Sequence, residues 1–484
     1  MRHEPDNSGD YNNLMTPTSS APAAGANRRA SLLAAPVLGL LLYWRVPSTW
    51  FQDDDFAWLS LGREFHQHGL WHALFTPFAQ GTVRVLDRIH FLALSESFGS
   101  QLLPYRLLGF LTWIAALTLV LLIGEKLTGS RSAGVVAALL WAANANSVPS
   151  IVWISAYYQL LCAVCLLGAL YSRLRNWPVA EWICYLSAFG AMEIAPMYAV
   201  VAVICALATR ERLRSALWLF APAVVYTAAH FLLVPKSTSG PYLLSLDSRL
   251  PSTIASYLAW IFEPGSSALR GHAQQLQTPE LLAGLILGLS LSWFAVRCFV
   301  RKDWAAAVFV AWFAAILAPL LLLPDHVTSY YLTIPSIGLA WLAGWAIVQM
   351  WTKGSRGTGG FARLAAIGLA AMYFVGNAAG IEAQTRWFQT RSLHMRKLVE
   401  EVGAVAAAHP GDAIVLEGPL HQAIDEEMSH AGFEAHPFLL VGAERVWRMP
   451  DDISPEDLRI AIANGHTHVL EVASDGGTRD VTER

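Results

Sequence analysis

Three adjacent aspartates, Asp53, Asp54 and Asp55, follow directly on a short aromatic stretch near the N-terminal end of the chain. A carboxylate beside apolar rings is partly desolvated, so its pKa rises and it can accept a proton from a hydroxyl as a general base. Successive helix residues are rotated by about 100°, so at most one or two of the three carboxylates can reach one cavity. We predict that Asp54 is the base and that Asp53 or Asp55 orients it or binds a metal.

These acids can also have a purely structural role. They can begin a helix, where Asp is favoured as the N-cap and complements the helix dipole. That helix is predicted to be amphipathic, with Asp54, Trp58, Leu61 and Phe65 on one face that rests on a bilayer. Nothing in the sequence demands a metal, although acids facing a phosphate can recruit Mg²⁺ or Mn²⁺ through oxygen ligands.

Basic side chains come later in the same segment, at Arg84, Arg88 and His90. We predict that they bind substrate, and that Arg84 and Arg88 hold a phosphate leaving group, because charge that develops there needs a fixed positive partner. The alternative is that they are interfacial anchors whose charged ends snorkel to the membrane surface.

Glu193, His326 and Tyr330 are further predicted substrate-binding residues that line the same cavity. Glu193 lies between two apolar runs, where an acid is costly and therefore functional by default, unless its short connection reaches water. His326 and Tyr330 lie in another short connection, which also fits a polar turn with an aromatic belt. Two His-x-His pairs, at 66–68 and 466–468, lack a third ligand at an obvious spacing, and we predict no zinc site at either.

The composition is that of a membrane protein. Of 484 residues, 55% are hydrophobic and only 14% are charged, and the mean hydropathy is +0.41. Soluble domains are nearer a quarter charged. The formal net charge of −3, without a basic face, gives no support for nucleic-acid binding.

Eleven apolar segments predict an all-α polytopic fold with about eleven transmembrane helices. They lie at 31–47, 104–123, 133–147, 150–171, 178–191, 193–208, 216–234, 280–296, 304–323, 331–350 and 364–380. Lys and Arg occupy every second short connection, which places the N-terminus in the cytoplasm and the C-terminus outside. We predict a bacterial inner (plasma) membrane protein with a disordered cytoplasmic tail at 1–28, a transmembrane domain at 29–380, and outer loops at 48–103 and 235–279.

The C-terminal part, residues 381–484, has the composition of a soluble domain. Candidate strands at 412–417, 436–446 and 467–473 alternate with candidate helices near 420–431 and 454–463. We therefore predict a small extracytoplasmic α/β domain.

Three stretches carry a resemblance to a known family: the residues from Arg84 to Arg175, which include Trp153-Ile-Ser-Ala-Tyr157-Tyr-Gln159, then Ala191-Met192-Glu193, and Tyr330-Tyr-Leu-Thr-Ile-Pro335-Ser. They resemble the membrane portion of the tetratricopeptide-repeat transmembrane O-mannosyltransferases, which belong to the GT-C superfamily of polyprenyl-phosphate-sugar glycosyltransferases. The resemblance covers roughly residues 30–380, and the acids after the first span fit the superfamily's catalytic acid in the first external loop. Family charges are replaced here by Tyr157, Gln159 and Met192.

The resemblance implies a membrane glycosyltransferase with a polyprenyl-phosphate-linked sugar as donor. It implies inverting transfer at the outer face of the membrane to a glycan, lipid or protein acceptor. The alternative is a non-catalytic GT-C-like protein that binds or helps to export a lipid-linked glycan, which the replaced charges favour. An ion-coupled transporter is a third option, disfavoured because intramembrane Asp, Lys and Arg are nearly absent.

Overall fold

A computed structural model of the chain describes residues 21–77, 82–234, 240–262, 278–353, 359–418, 437–449 and 452–482. The described part is mostly helical. Its α-helices are α1 Ala21–Leu42, α2 Asp55–Leu59, α3 Leu61–His68, α4 Leu70–Phe75, α5 Val85–Phe98, α6 Leu102–Thr128, α7 Arg131–Ala142, α8 Val148–Val152, α9 Tyr157–Leu174, α10 Pro178–Phe189, α11 Tyr198–Thr209, α12 Leu213–Leu217, α13 Phe220–Leu233, α14 Leu250–Phe262, α15 Thr278–Val300, α16 Ala305–Leu317, α17 Ser336–Lys353, α18 Gly359–Ala408 and α19 Pro455–Ala463.

Each of the eleven predicted apolar segments falls on a helix. Six helices in the described ranges are long and apolar enough to cross a membrane, or seven if a bent pair at 131–152 forms one span. The chain is thus a multi-pass membrane protein, whereas the count of eleven and the orientation stay predictions. The predicted tail is wrong at 21–28, which is helical in α1; residues 1–20 lie outside the described ranges.

Buried tryptophans hold the membrane helices together. The rings of Trp141, Trp312 and Trp341 are at most 1% exposed. Each donates its indole N–H to a backbone carbonyl of another segment, those of Thr333, Ile334 and Val120 respectively, at 2.7 to 2.9 Å. An apolar surrounding offers these N–H groups no water, so the three bonds fix how the helices meet.

The helical path is broken after α7. The chain bends by 57° between Arg131–Ala142 and Ala145–Val152. Buried amides satisfy the freed backbone: Asn144 accepts from the N–H of Asn146 at 3.0 Å, and Asn377 accepts from the N–H of Ala145 at 2.9 Å. After α8, a 3-10 turn at Ile154–Ala156 leads into α9 and carries Ser155 to the aspartates.

The helix predicted to start at the acids is two short helices, α2 and α3, and its apolar face does not rest on a bilayer. Leu61 is fully buried. The ring of Trp58 stacks on Phe91 of α5, with 5.5 Å between the ring centroids. The prediction of a membrane-resting face is therefore wrong, because protein side chains cover it.

The long helix α18 runs without a break from the apolar segment into the C-terminal part. It spans 50 residues, and the predicted domain boundary at 380/381 falls inside it. A four-stranded sheet follows, with the order β2-β1-β3-β4. Its strands are β1 Ala413–Glu417, β2 Val446–Arg448, β3 Thr467–Val472 and β4 Thr478–Asp480. β1 pairs in parallel with β2 and β3, and β4 is antiparallel to β3.

The strand predictions succeed in part. β1 and β3 confirm the first and third candidate strands, and α19 confirms the helix near 454–463. The strand at 436–446 is wrong: a 3-10 helix, Pro437–Val441, begins there and a turn with Gly442 at φ 74° precedes β2. The predicted helix near 420–431 lies outside the described residues.

One apolar core joins residues 48–103 to the C-terminal part. Phe51 and Phe56 share a buried cluster with Leu398 of α18, Leu416 of β1 and Leu470 of β3. Because this cluster is continuous, the two parts form one packed unit.

We predict that Gly344→Ala destabilises the protein. A Cβ at Gly344 of α17 would lie 2.6 Å from the backbone nitrogen of Ala137 in α7, and such overpacking costs about 1–3 kcal/mol. The matched control is Gly368→Ala in α18, where a Cβ meets no atom within 4 Å, so stability should be unchanged or rise by up to about 1 kcal/mol. Thermal unfolding in detergent measures both, and equal melting temperatures would contradict the close helix contact.

Candidate active site

Asp55 is fully buried and anchors the acid segment, residues 51–55. Its Oδ1 accepts hydrogen bonds from the hydroxyl and the backbone N–H of Ser155, the latter at 2.6 Å. Its Oδ2 accepts from the N–H of Gln52 at 3.0 Å. Burial raises the pKa of Asp55 to about 7, although these bonds and the charge of Arg106 lower it. Both carboxylate oxygens are thus used inside the protein.

Asp53 makes a different contact, with helix α18. Its Oδ1 lies 2.5 Å from Nη2 of Arg391. The backbone of Asp53 is left-handed, with φ 50°, a conformation that Asp tolerates better than most residues. This ion pair ties the start of the acid segment to α18.

Asp54, between these two anchored residues, is the exposed member of the three. It precedes α2, but its side chain makes no capping hydrogen bond, so helix capping does not explain it. Burial raises the pKa of Tyr242, and the negative charge of Asp54 raises it further.

The three aspartates do not fit a divalent metal ion. The oxygens of Asp55 are occupied by donors, and Asp53 is paired with Arg391. Within the described ranges, groups of three or more possible ligands with atoms inside 4.8 Å of one another lie elsewhere. We therefore assign no step at this site to Mg²⁺ or Mn²⁺.

The structure brings the predicted Arg84 and Glu193 together. The Nε of Arg84 lies 3.2 Å from Oε1 of Glu193, and its Nη2 lies 3.2 Å from Oε2. The guanidinium also lies over the ring of Tyr158, 3.8 Å from the centroid. Burial raises the pKa of Glu193, but the charge and hydrogen bonds of Arg84 outweigh it and lower the pKa overall. The pair is therefore charged at neutral pH.

Arg88 and His90 are buried inside the protein instead of facing a cavity. Arg88 donates to the carbonyls of Ala73, Thr76 and Thr82, at 3.2, 2.5 and 3.1 Å. The His90 ring packs against Tyr157 with 4.1 Å between centroids, and burial lowers its pKa to about 3. A contact of either side chain with a phosphate requires it to leave this position.

His326 and Tyr330 adjoin each other beside Tyr242. The Nε2 of His326 lies 3.2 Å from the Tyr330 hydroxyl, and its ring centroid lies 4.3 Å from that of Tyr242. These three residues therefore bring the connection that contains Tyr242 next to the one that contains His326 and Tyr330.

Three residues near these charges were not predicted as site residues: Tyr158, Tyr242 and Asp87. Tyr158 lies in the Trp153-Ile-Ser segment that carries the resemblance, so the sequence held a signal for it. Tyr242 has none, since a single Tyr in a polar connection is unremarkable. Asp87 is fully buried, and neither oxygen has a hydrogen-bond partner in the described part of the chain.

The chain is similar in fold to solved structures of an oligosaccharyltransferase and of ArnT. No protein-family model and no curated protein matches the chain. The oligosaccharyltransferase of Archaeoglobus fulgidus, tethered to an acceptor peptide with the NVT sequon, is 12% identical, with a TM-score of 0.49 over 91% of this chain and 68% of that one. ArnT from Cupriavidus metallidurans, bound to undecaprenyl phosphate, is 13% identical, with a TM-score of 0.47 over 93% of each chain.

We predict that Asp55→Asn destabilises the protein. The amide NH₂ would face the donors of Ser155 or Gln52, and one unsatisfied buried group costs about 1–3 kcal/mol. Thermal unfolding in detergent should show a lower melting temperature than for the wild type. The matched control is Asp54→Asn, which alters the exposed neighbour and should melt with the wild type. Equal melting of all three proteins would contradict the buried anchor.

We predict that Asp87 makes stability depend on pH. Burial raises its pKa from 3.8 to about 8, against the lowering effect of Arg84 and Arg88. The fold therefore favours the protonated carboxyl, and its contribution to stability is lost as pH rises from about 4 to about 8. Melting temperatures of Asp87→Asn should fall less over this range than those of the wild type. Glu400→Gln, an exposed change on α18, should follow the wild type; a parallel fall in Asp87→Asn would refute the assignment.

Proposed function

We propose that the protein is a membrane glycosyltransferase that moves a sugar from a polyprenyl-phosphate donor to a glycan, lipid or protein acceptor at the outer face of the membrane. The observation that supports this proposal is the arrangement of the three aspartates. Asp53 and Asp55 are bound to separate parts of the protein, and Asp54 between them is exposed. This is how a fold presents one carboxylate in a fixed position.

In the proposed reaction, Asp54 is the general base. It takes the proton of an acceptor hydroxyl as the oxygen attacks the anomeric carbon, and the bond from that carbon to the phosphate oxygen breaks. The configuration inverts, and the polyprenyl phosphate leaves with the bonding electron pair. Asp53 and Asp55 position Asp54 and do not touch the substrate.

Arg84 is the proposed partner of the leaving phosphate. Its guanidinium lies against Tyr158 and Glu193. A fixed cation stabilises negative charge that develops on a leaving group. In this proposal, Glu193 holds the guanidinium in place until the phosphate arrives, and Tyr330 and His326 line the acceptor side.

We also propose an orientation for the chain in a bacterial plasma membrane. The N-terminus is cytoplasmic, and residues 48–103 and the C-terminal α/β part are outside. The core shared by Phe51, Leu398 and Leu470 supports a common side for the last two, and the distribution of Lys and Arg supports which side it is.

A non-catalytic protein that binds a lipid-linked glycan is the second candidate. The observation that favours it is the Arg84–Glu193 pair, because an internal carboxylate already neutralises the cation that would hold a phosphate. In that case, Asp54 has no proton to accept, and lipid binding persists without turnover.

We predict that Asp54→Asn abolishes transfer. Purified protein in lipid nanodiscs is incubated with a panel of polyprenyl-phosphate sugars, and release of polyprenyl phosphate is measured. Loss of a general base should lower the rate by about 10²–10⁴-fold, with donor binding and melting temperature unchanged. Asp452→Asn, in the C-terminal part, is the control and should retain the wild-type rate.

Equal turnover by wild type and Asp54→Asn would sink the base assignment. The non-catalytic candidate would instead be supported by two results together: no protein turns over any donor, and Arg84→Ala weakens donor binding.

A further inference from the structure

Three possible metal ligands meet where α18 joins the sheet. His409 follows the last residue of α18, Asp412 precedes β1, and His468 lies in β3. One ligand atom from each lies within 4.8 Å of the others. They come from positions as far apart as 409 and 468, so the fold, and not a local sequence motif, brings them together.

The pairing of the strands holds this arrangement in place. Ile414 of β1 is directly opposite His468 of β3 in the parallel ladder, so the residues just before β1 lie beside the start of β3. The Nε2 of His468 is 3.3 Å from Oδ2 of Asp412, and the rings of His468 and His409 have centroids 4.0 Å apart. Both His468 and Asp412 are largely buried, with side chains 17% and 19% exposed.

The ligand types favour zinc. Two imidazoles and one carboxylate suit Zn²⁺, whereas Mg²⁺ prefers oxygen ligands alone. The other nitrogen of His468, Nδ1, faces Oδ2 of Asp480 at 3.6 Å. A carboxylate behind a histidine in this way orients the ring and increases its basicity as a metal ligand. His466 contacts Asp412 with 3.0 Å between its Nδ1 and Oδ1 of the carboxylate, and water can fill the fourth position of a tetrahedral set.

We propose that His409, Asp412 and His468 form a zinc site that ties the end of α18 to β3. The site lies apart from Asp54 and Arg84 and does not depend on the proposed transfer activity. It revises the expectation from sequence that the His466-x-His468 pair lacks a third ligand: the further ligands are His409 and Asp412, which adjoin the pair only after the sheet forms.

The competing explanation is a hydrogen-bonded cluster, in which Asp412 accepts from His466 and His468 without metal. The substitution His468→Gln distinguishes the two explanations. A Gln amide can still donate to Asp412, but it is a poor zinc ligand. His468→Gln therefore keeps the hydrogen bond and removes the metal.

The test uses the full chain with a purification tag that contains no histidine, stripped of metal with a chelator and kept in detergent. Zn²⁺ and Mg²⁺ are titrated by calorimetry, and bound metal is counted by mass spectrometry. We expect one tightly bound Zn²⁺ per chain, no comparable Mg²⁺ binding, and a higher melting temperature with Zn²⁺. His409→Ala and His468→Gln should bind Zn²⁺ at least about ten-fold more weakly, and Asp480→Asn about ten-fold more weakly.

The matched control is the other three-ligand group in the described residues, Glu64, His68 and His72. The double change His68→Ala with His72→Ala should leave the tight Zn²⁺ site intact. The proposal is overturned if the wild type binds no Zn²⁺, if His409→Ala and His468→Gln bind it like the wild type, or if only the control pair removes it. Circular dichroism of each variant confirms that it is folded.

Discussion

The burial of one carboxylate determines how this face of the protein is built. Asp55 has no exposed surface, so each of its oxygens needs a donor, and the donors come from Ser155 and Gln52. Ser155 lies in a 3-10 turn, Ile154–Ala156, that runs directly into α9. A buried hydrogen bond therefore joins the start of this helix to the acid segment.

The charges around this anchor are balanced in pairs. Asp53 is matched by Arg391, and Glu193 by Arg84, whereas the buried Asp87 avoids a charge by a raised pKa. Such pairing limits the cost of charges in a poorly solvated region. It leaves Asp54 as the exposed member of the acid segment, and this contrast is why a catalytic role is assigned to it and not to its neighbours.

Apolar length predicted where the long helices lie, because it depends on the bilayer and not on tertiary detail; the count of eleven spans and the orientation stay predictions. Asp53 to Asp55, Arg84 and Glu193 also stood out from the sequence as charges beside apolar runs. Their partners could not be predicted, since those of Asp53 and Glu193 lie 338 and 109 residues away in the chain. The prediction of a strand at 436–446 was wrong because Pro437 begins a 3-10 helix there and Gly442 lies in the turn that follows.

Helix α18 connects the membrane region to the acid segment. At 1.5 Å per residue, Arg391 lies about 48 Å along the axis from the start of the helix. A membrane helix adjusts to a thinner or thicker bilayer by tilting, and without a hinge in α18 a tilt of about 5° carries Arg391 sideways by about 4 Å. Since Arg391 holds Asp53 and Leu398 shares a core with Phe51, a tilt of α18 would carry the acid segment with it.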